Sequence, residues 1–229
     1  MRAVRAITFD LDDTLWEIGP VIAQAERKVY EEIRNRFPRV AERYAMEGIQ
    51  KTRQQVLEKH PEIAHDLTEI RRVTFRWMLT GCGYNPDDSH ALLEQFLQLR
   101  HEVEFFADAV PALRRLSERY PLVTITNGNA DVERLGITQF FAGHISASSA
   151  GILKPDPRIF ELACQMLKED PGAVLHVGDH PVDDVLGALD AGFQAAWINR
   201  CADVWTHERQ PHAEVQNLIE LVDLLDAAN

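Results

Sequence analysis

Short runs of apolar and β-branched residues recur along the chain and predict a central sheet. The runs are rich in Val, Ile, Thr and Phe, and most are bounded by Gly, Pro, Asn or Asp. Runs of this length are typical of strands in a parallel sheet that has helices on both faces. The pattern predicts five strands, at residues 4–9, 122–126, 144–147, 174–177 and 194–198.

Helical periodicity occupies the intervals between the last four strands. Residues 157–168 are predicted to form a helix with Asp156 as its N-cap and a proline at its first position. One face of this helix is apolar and consists of Ile159, Phe160, Ala163, Met166 and Leu167. Residues 181–191 repeat the pattern before Gly192, with Val182, Val185, Leu186 and Leu189 on the apolar face. A short helix is predicted at 131–141 and a closing helix at 213–225. Alternating strands and helices predict an α/β fold with a doubly wound, parallel, Rossmann-like sheet.

The interval between the first two predicted strands breaks this alternation. Residues 16–106 show helical periodicity and no convincing strand. Four helices are expected there: one through residues 22–37 that ends at Pro38, two around 41–59 and 65–80, and one around 92–97. Such an interval is too long for an ordinary loop of a parallel sheet. We therefore predict a core of residues 1–15 and 107–229, with residues 16–106 inserted as a helical cap subdomain over one edge of the sheet.

Composition and charge restrict the class of partner. The chain has 229 residues, of which 45% are hydrophobic and 26% charged, as in an average globular protein. Its net charge of −12 repels polyanions, so neither nucleic acid nor an anionic membrane is expected as a partner.

Other features of the sequence predict a cytoplasmic location. The N-terminus lacks the apolar stretch of a signal peptide, and no run reaches the about 18 apolar residues of a membrane span. Three widely spaced cysteines without a C-x-x-C pair argue against a disulfide framework and fit a reducing compartment. We expect a monomer or a homodimer.

Polar side chains follow four of the predicted strands at the points where the strands end. In doubly wound sheets, ligands bind outside these carboxyl ends, so the side chains should share one rim. Taken singly, each would be an ordinary cap or turn residue. The residues, in strand order, are Asp10 and Asp12, then Thr126 and Asn127, then Lys154, then Asp179.

Three of these residues are acids, and their repulsion predicts a bound cation. Two carboxylates 4 Å apart repel each other by roughly 4 kcal/mol at an effective dielectric constant near 20. Lys154 alone cannot offset Asp10, Asp12 and Asp179. Oxygen ligands without paired histidines or thiolates favour a hard ion, so the expected cofactor is Mg²⁺.

Magnesium beside a lysine, a threonine hydroxyl and an asparagine amide suits a phosphoryl group, whose oxygens need positive charge and hydrogen-bond donors. A carboxylate on the metal can attack phosphorus and form an aspartyl phosphate. A second carboxylate two residues further along can act as acid and base. The expected substrate is therefore a phosphate ester.

The same residues resemble the four ordered motifs of the haloacid dehalogenase-like (HAD) hydrolase superfamily. The resemblance covers the whole chain, including the helical cap after the first strand. The matching segments are Asp10-Leu11-Asp12-Asp13-Thr14-Leu15, Ile125-Thr126-Asn127-Gly128, Lys154-Pro155, and Val177-Gly178-Asp179 with Asp184 five places on.

The resemblance implies a role for each matching residue. Asp10 would be the nucleophile and Asp12 the general acid and base. Thr126 and Asn127 would bind the phosphoryl group, and Lys154 would steady both that group and the nucleophile.

It also implies how the metal is held. Asp10, Asp179 and the backbone carbonyl of Asp12 would ligate Mg²⁺, and Asp184 would hold a water bound to the metal.

Within this superfamily Asp12 favours a phosphatase. Dehalogenases lack an acid at the matching position because a leaving halide needs no proton, whereas an alkoxide leaving a phosphate does. Segments 124–130 and 176–179 are similar to bacterial capped phosphatases that act on flavin mononucleotide and on 5-amino-6-(5-phospho-ribitylamino)uracil, a riboflavin precursor. This resemblance implies a small phosphorylated metabolite as the substrate, possessing a ribityl chain on a planar ring.

Other functions fit the same pocket. A phosphomutase and a 2-haloacid dehalogenase share the fold, and a non-enzymatic receiver domain also stores an aspartyl phosphate. Receiver domains are about half as long, however, and place their acceptor aspartate on an interior strand after a separate acidic pair.

Several further residues have both a functional and a packing interpretation. In the cap, Arg71, Arg72 or Arg76 could contact an anionic or planar part of the substrate, and Phe75 or Trp77 could stack on a ring. In the core, His176 is expected to be a hydrogen-bonded interior residue, His180 to begin a helix, and Trp16 either to pack or to plug the hinge beside the site.

Overall fold

The computed structural model describes residues 3–227; residues 1, 2, 228 and 229, which the predicted domain limits include, lie outside the described residues. The chain divides into two compact units. The core unit runs to Glu17 and resumes at Glu104, and the helical unit is Ile18–Val103. The predicted limits of the domains, and the role of the inserted helices as a cap, stay predictions.

A parallel sheet of six strands lies at the centre of the core unit, in the order β3-β2-β1-β4-β5-β6. All neighbouring strands pair in parallel. The residues of β1, β2, β4 and β5 are all buried, as their apolar runs predict. The predicted Rossmann-like α/β class is confirmed. The strands are β1 (Ala6–Phe9), β2 (Leu122–Thr126), β3 (Gly143–Ser146), β4 (Val174–Gly178), β5 (Gln194–Ile198) and β6 (Ala213–Val215).

The helical unit contains five α-helices around one apolar core. That core includes Val29, Phe75 and Phe96. The sequence predicted four of these helices and missed α2, which begins at Pro38, where only a helix end was expected. Proline is compatible with the first helical position, because its missing N–H has no partner to lose there. The helices are α1 (Ile18–Arg36), α2 (Pro38–Arg43), α3 (Met46–Lys59), α4 (Leu67–Gly81) and α5 (Ser89–Arg100).

Helices of the core unit flank the sheet. Asp156 caps α8 as predicted, since its side chain accepts the N–H of Arg158. Within residues 3–227, none of the helices is long and apolar enough to cross a bilayer. The helices are α6 (Ala109–Ser117), α7 (Ala147–Ala150), α8 (Pro157–Leu167), α9 (Gly187–Asp190) and α10 (Leu218–Ala227), and a π-helical turn, Pro181–Leu186, precedes α9.

Three helix predictions were wrong in part. Residues 131–141 form turns and a 3₁₀ segment, Thr138–Phe140, because Gly136 adopts a left-handed φ of 68° that interrupts a helix. Residues 213–225 begin as β6, which hydrogen-bonds to the edge of β5, and only then continue as α10. Met166, predicted on the buried stripe of α8, is 46% exposed, whereas Leu167 beside it packs against the core of the sheet unit.

Candidate active site

The carboxyl ends of three neighbouring strands bring the predicted site residues together. Asp10 follows β1, Thr126 ends β2 and Asp179 follows β4. The strand order reverses between β1 and β4, which is where a doubly wound sheet leaves a crevice. A pocket of about 170 Å³ opens there. Every predicted site residue lines it: Asp10, Asp12, Thr126, Asn127, Lys154, Asp179 and Asp184.

Lys154 joins two of the acids in a buried ion triad. Its Nζ donates to Oδ1 of Asp10 and to Oδ1 of Asp184, both at 2.6 Å. Burial alone would lower the pKa of the Lys154 ammonium, but the two carboxylates outweigh burial and raise that pKa above its ordinary value. Lys154 is therefore a permanent cation that holds Asp10 in place.

Asp184 accepts hydrogen bonds from three directions. Besides Lys154, the backbone N–H of His180 donates to its Oδ2 at 2.9 Å, and Nε2 of His176 lies 3.2 Å from its Oδ1. Burial opposes ionisation of Asp184, but the Lys154 ammonium and the His176 hydrogen bond hold its pKa below the ordinary value. Only glycine fits at Gly178, because a Cβ there would lie 2.3 Å from Cγ of Asp184.

His176 is the interior residue that the sequence predicted. It is buried in β4, and its Nδ1 lies 2.8 Å from the hydroxyl of Thr8. Because the ionised Asp184 can only accept, Nε2 of His176 is the donor, so Nδ1 accepts from Thr8. His176 thus supports Asp184 from inside the sheet.

The π-helical turn Pro181–Leu186 explains how Asp184 reaches the pocket. The predicted helical face placed Val182 inside, yet Val182 is 39% exposed and Asp184 only 1%. The N–H of Val185 donates to the carbonyl of His180 five residues earlier, and this wider turn directs Asp184 inward. His180 begins the turn as predicted, since its Nδ1 accepts the N–H of Asp183.

Asp10, Asp179 and Asp184 form an acidic cluster. One carboxylate oxygen of each lies within 4.8 Å of the other two. The hydroxyl of Thr14 lies 3.2 Å from both Oδ2 of Asp10 and Oδ1 of Asp179, so it links the carboxylates that follow the two central strands.

The charges in this cluster are out of balance. Burial raises the pKa of Asp10 well above its ordinary range; Lys154 opposes this rise, while Asp184 and Asp179 add to it. Burial, with repulsion from Asp184 and Asp13, raises the pKa of Asp179 to about 7. Full ionisation of the three carboxylates therefore requires more positive charge than Lys154 supplies.

This donor set fits Mg²⁺. Its ligand atoms are carboxylate oxygens, and among the described residues no imidazole or thiol joins the cluster. Of the predicted ligands, the structure brings together the carboxylates of Asp10 and Asp179. It adds the carboxylate of Asp184, which was expected to hold a water. The predicted use of the Asp12 carbonyl stays a prediction.

The side chain of Asp12 lies outside the acidic cluster. Its Oδ1 accepts the indole N–H of Trp16 at 2.9 Å. Its Oδ2 lies against Gly128, where a Cβ would come within 2.3 Å of it. The Asp12 carboxyl is therefore directed to the side of the pocket formed by the end of β2.

The two residues at the end of β2, Thr126 and Asn127, have different hydrogen-bond partners. The hydroxyl of Thr126 accepts the N–H of Gly128 at 2.9 Å, which leaves its own proton available for a ligand. The amide of Asn127 clamps the backbone of Lys154: it donates to the carbonyl at 3.0 Å and accepts the N–H at 2.8 Å. Asn127 thus positions the lysine, and its contact with a phosphoryl group stays a prediction.

Two of the residues in the helical unit that the sequence suggested as ligand contacts are buried. Arg71 is 9% exposed, bonds to Glu26 at 3.3 Å and lies 3.4 Å above the ring of Phe96. Phe75 is 2% exposed, within the apolar core of this unit. Both are interior residues, which leaves them no face for a ligand ring.

The remaining candidates lie nearer the surface of the helical unit. Arg72 is engaged by Glu69. Arg76 and Trp77 line an open surface groove. The ammonium of Lys59 lies 4.2 Å from the centre of the Trp77 ring.

The sequence assigned no role in the site to Thr14 or His176. For Trp16 it left two interpretations open, namely packing in the interior or plugging the hinge beside the site. Thr14 and Trp16 stand four residues after Asp10 and Asp12, and a tight turn brings each back onto its carboxylate. The signal for His176 is its place in the sequence: it is a titratable residue inside an apolar strand, β4, that is followed directly by Asp179 of the acidic cluster.

Comparisons with known proteins agree with this architecture. A family model described as haloacid dehalogenase-like hydrolase matches residues 4–192. The 5-amino-6-(5-phospho-D-ribitylamino)uracil phosphatase YigB of Escherichia coli (strain K12) is 34% identical over 97% of this chain and 96% of its own. The (S)-2-haloacid dehalogenase of Pseudomonas sp. (strain YL) is 26% identical over 100% of this chain and 97% of its own.

A solved structure also has the same fold as this chain. The crystal structure of 2-haloacid dehalogenase from Pseudomonas syringae pv. Tomato DC3000 has a TM-score of 0.93 and 37% identity, and the match covers 99% of this chain and 100% of that one. Because the family model and a full-length relative both match, the predicted hydrolase is confirmed. The chain belongs to the haloacid dehalogenase-like hydrolase family.

Proposed function

We propose that this hydrolase is a Mg²⁺-dependent phosphatase that cleaves a small phosphomonoester through an aspartyl phosphate on Asp10. The observation that carries the proposal is a pair of carboxylates held in different ways in one pocket. Asp10 is ion-paired with Lys154 inside the acidic cluster, whereas Asp12 is hydrogen-bonded to Trp16 outside it. The first arrangement suits a nucleophile and the second suits a group that moves a proton.

The reaction follows from these positions. An oxygen of Asp10 attacks phosphorus, the bond from phosphorus to the leaving oxygen breaks, and Asp12 gives its proton to that oxygen. A water then attacks the aspartyl phosphate, gives a proton to Asp12, and releases phosphate and Asp10. Lys154 and the Thr126 hydroxyl bind the phosphoryl oxygens. When bound by Asp10, Asp179 and the carbonyl of Asp12, Mg²⁺ would neutralise charge on those oxygens.

The names of the relatives divide between phosphatase and dehalogenase, and Asp12 favours the phosphatase. A halide leaves carbon without needing a proton, so a dehalogenase has no use for an acid held over Gly128. A 2-haloacid also carries a carboxylate of its own, which the acids that line this pocket would repel. A phosphate ester instead brings in a group that binds the expected cation.

A ribityl phosphate on a planar ring is the substrate that we propose. The name of the E. coli relative supports it, and so does the resemblance of segments 124–130 and 176–179 to phosphatases of flavin mononucleotide and of the riboflavin precursor. We also propose that the helical unit serves as the cap that selects a small substrate. Cytoplasmic location, a monomeric or homodimeric state, and the absence of nucleic acid and membrane partners stay predictions.

Phosphate release from a panel of substrates in Mg²⁺ tests the proposal. The panel holds flavin mononucleotide, the ribitylaminouracil phosphate, sugar phosphates and nucleoside monophosphates, with halide release from 2-chloropropionate beside it. A kcat/KM at least about ten-fold higher for the two ring compounds, worth about 1.4 kcal/mol, supports the substrate. If sugar phosphates are hydrolysed with an equal or higher kcat/KM, the proposed substrate is wrong, but the proposed phosphatase activity stands.

Three results of the same panel would favour an alternative. Halide release without phosphate release would indicate a dehalogenase. Turnover that requires a bisphosphate would indicate a phosphomutase. A stable phosphoprotein with no steady release of phosphate would indicate a phospho-acceptor domain.

A further inference from the structure

We propose that Trp16 is a positioning residue for Asp12: its indole N–H fixes the orientation from which the carboxyl gives its proton to the leaving group. The inference rests on the proposed function, because it concerns the acid of that reaction. It adds a residue that lies outside the four sequence motifs.

The hydrogen bond is well placed for this role. Nε1 of Trp16 lies 2.9 Å from Oδ1 of Asp12, and the indole is fully buried. A buried indole N–H requires an acceptor, and nearby backbone carbonyls commonly supply one. Here the acceptor is the carboxylate that the reaction uses, so packing alone does not account for the arrangement.

The backbone between the two residues holds this geometry. Asp13 adopts a left-handed φ of 63°, and its N–H donates to the carbonyl of Trp16 at 2.8 Å. The chain therefore folds back on itself, and Asp12 and Trp16 form a β-bridge. The bond joins two residues of one short turn, which keeps the side chains in register.

The far side of the indole is held as well. Trp16 forms an antiparallel bridge with Phe105, and the two rings pack edge to face with centroids 5.4 Å apart. The N–H of Phe106 donates to the carbonyl of Leu15 at 2.9 Å. Trp16 therefore has little freedom to turn away from Asp12, and it presents its donor in one direction.

The chemistry follows from which atoms can donate. An indole nitrogen donates and never accepts, so Oδ1 of Asp12 must face it as an acceptor. The other oxygen, Oδ2, lies against Gly128 beside Thr126. Without the indole N–H, the carboxyl loses a hydrogen bond that fixes its orientation. Fewer molecules then direct the proton at the leaving oxygen.

The test compares Trp16→Phe with wild type on two probes. One probe is 4-nitrophenyl phosphate, whose leaving group scarcely needs a proton. The other is the primary alkyl phosphate that wild type hydrolyses fastest in the panel above. We expect kcat to fall at least about ten-fold on the alkyl ester but by less than about three-fold on the aryl ester. Equal losses on both probes would show a merely structural role and overturn the proposal.

Three further variants make the result specific. Trp205→Phe, the matched control, removes an indole N–H that donates to the carbonyl of Arg209, and it should leave the alkyl-to-aryl ratio of kcat unchanged. Asp12→Asn should lose the alkyl activity selectively. Adding Trp16→Phe to Asp12→Asn should lower the alkyl rate by no more than about two-fold further, because the indole acts through the carboxyl.

The outcomes separate the two proposals. If Asp12→Asn shows no preference between the probes, Asp12 is not the acid, and the proposed function falls together with this inference. If Asp12→Asn is selective and Trp16→Phe is not, only the inference falls. If Trp16→Phe does not fold, benzothienylalanine incorporated at position 16 keeps the bicyclic ring without the N–H, and the same alkyl-to-aryl comparison decides.

Discussion

Each unit of this protein contains a largely buried cluster of charged side chains, and the two clusters have an excess of opposite charge. In the core unit, the carboxylates of Asp10, Asp179 and Asp184 surround one lysine. In the helical unit, the guanidinium groups of Arg53 and Arg71 share Glu26, at 2.9 and 3.3 Å. Burial of unequal charge is therefore a property of both regions and cannot by itself identify a ligand site.

The space beside each cluster distinguishes them. The acidic cluster borders a pocket of about 170 Å³ at the ends of the strands. The basic cluster borders a cavity of about 10 Å³, room for about one water. There the excess positive charge lies on a delocalised guanidinium over the ring of Phe96. An excess of charge indicates a ligand site only where a pocket lets a ligand enter. Where no such pocket exists, the excess charge is part of the packing of the interior.

The largest effect is expected at Asp10, the proposed nucleophile. Asp10→Asn should lower kcat at least about 10³-fold on every phosphate ester, because the amide cannot attack phosphorus. Its Tm should hold or rise, because the change removes one of three crowded carboxylates. Phosphate release and thermal unfolding measure the two effects, with Asp223→Asn, an exposed acid of α10, as the control. More than a few per cent of residual turnover would exclude Asp10 as the nucleophile.

Removal of the lysine should affect both activity and stability. Lys154→Met leaves Asp10 and Asp184 buried without their shared cation, which should lower the free energy of unfolding by about 3–5 kcal/mol. Denaturant unfolding measures this loss, with Lys28→Met, a surface lysine, as control. Adding Asp184→Asn should recover part of the stability without recovering activity. An unfolding free energy equal to wild type would mean that the triad is not buried as described.

Much of the acidic site could be predicted because it depends on local patterns. The runs that form β1 and β4 end directly before Asp10 and Asp179, and parallel strands bring those ends to one rim. The partners of these residues depend on backbone detail that no simple period encodes. The π-helical turn buries Asp184 in place of Val182, and the turn after β1 brings Trp16 onto Asp12.

Side-chain partners that come from distant segments were harder still to foresee. Asn127 clamps the backbone of Lys154, 27 positions away, so its partner is set by how two loops pack. Strand β6 was missed because three residues carry too little pattern, and its stability comes from the edge of β5. In the helical unit, apolar periodicity predicted four of the five helices but could not reveal that Arg71 is internal.

Magnesium should distinguish the two clusters without any reference to activity. At a free concentration a hundred times its Kd, Mg²⁺ should stabilise the protein by about 2.7 kcal/mol, because it binds the folded acidic cluster and not the unfolded chain. Thermal unfolding in EDTA and in Mg²⁺ measures the shift. Asp179→Asn should abolish it, and Glu26→Gln should leave it intact. A full shift in Asp179→Asn would place the ion elsewhere.

The smallest effect is expected at the basic cluster. Glu26→Gln should lower the free energy of unfolding by about 1–3 kcal/mol, because it leaves Arg53 and Arg71 facing each other with only a neutral acceptor between them. The loss should be smaller than at Lys154, since the Glu26 side chain is 18% exposed and water screens part of the repulsion. Glu69→Gln, which breaks the pair with Arg72 nearer the surface, is the matched control and should change stability by less than about 1 kcal/mol. Because the proposed catalytic side chains all belong to the core unit, the folded Glu26→Gln enzyme should keep its kcat on 4-nitrophenyl phosphate. A loss of kcat at full stability would instead give the basic cluster a part in the reaction and remove the distinction drawn between the two regions.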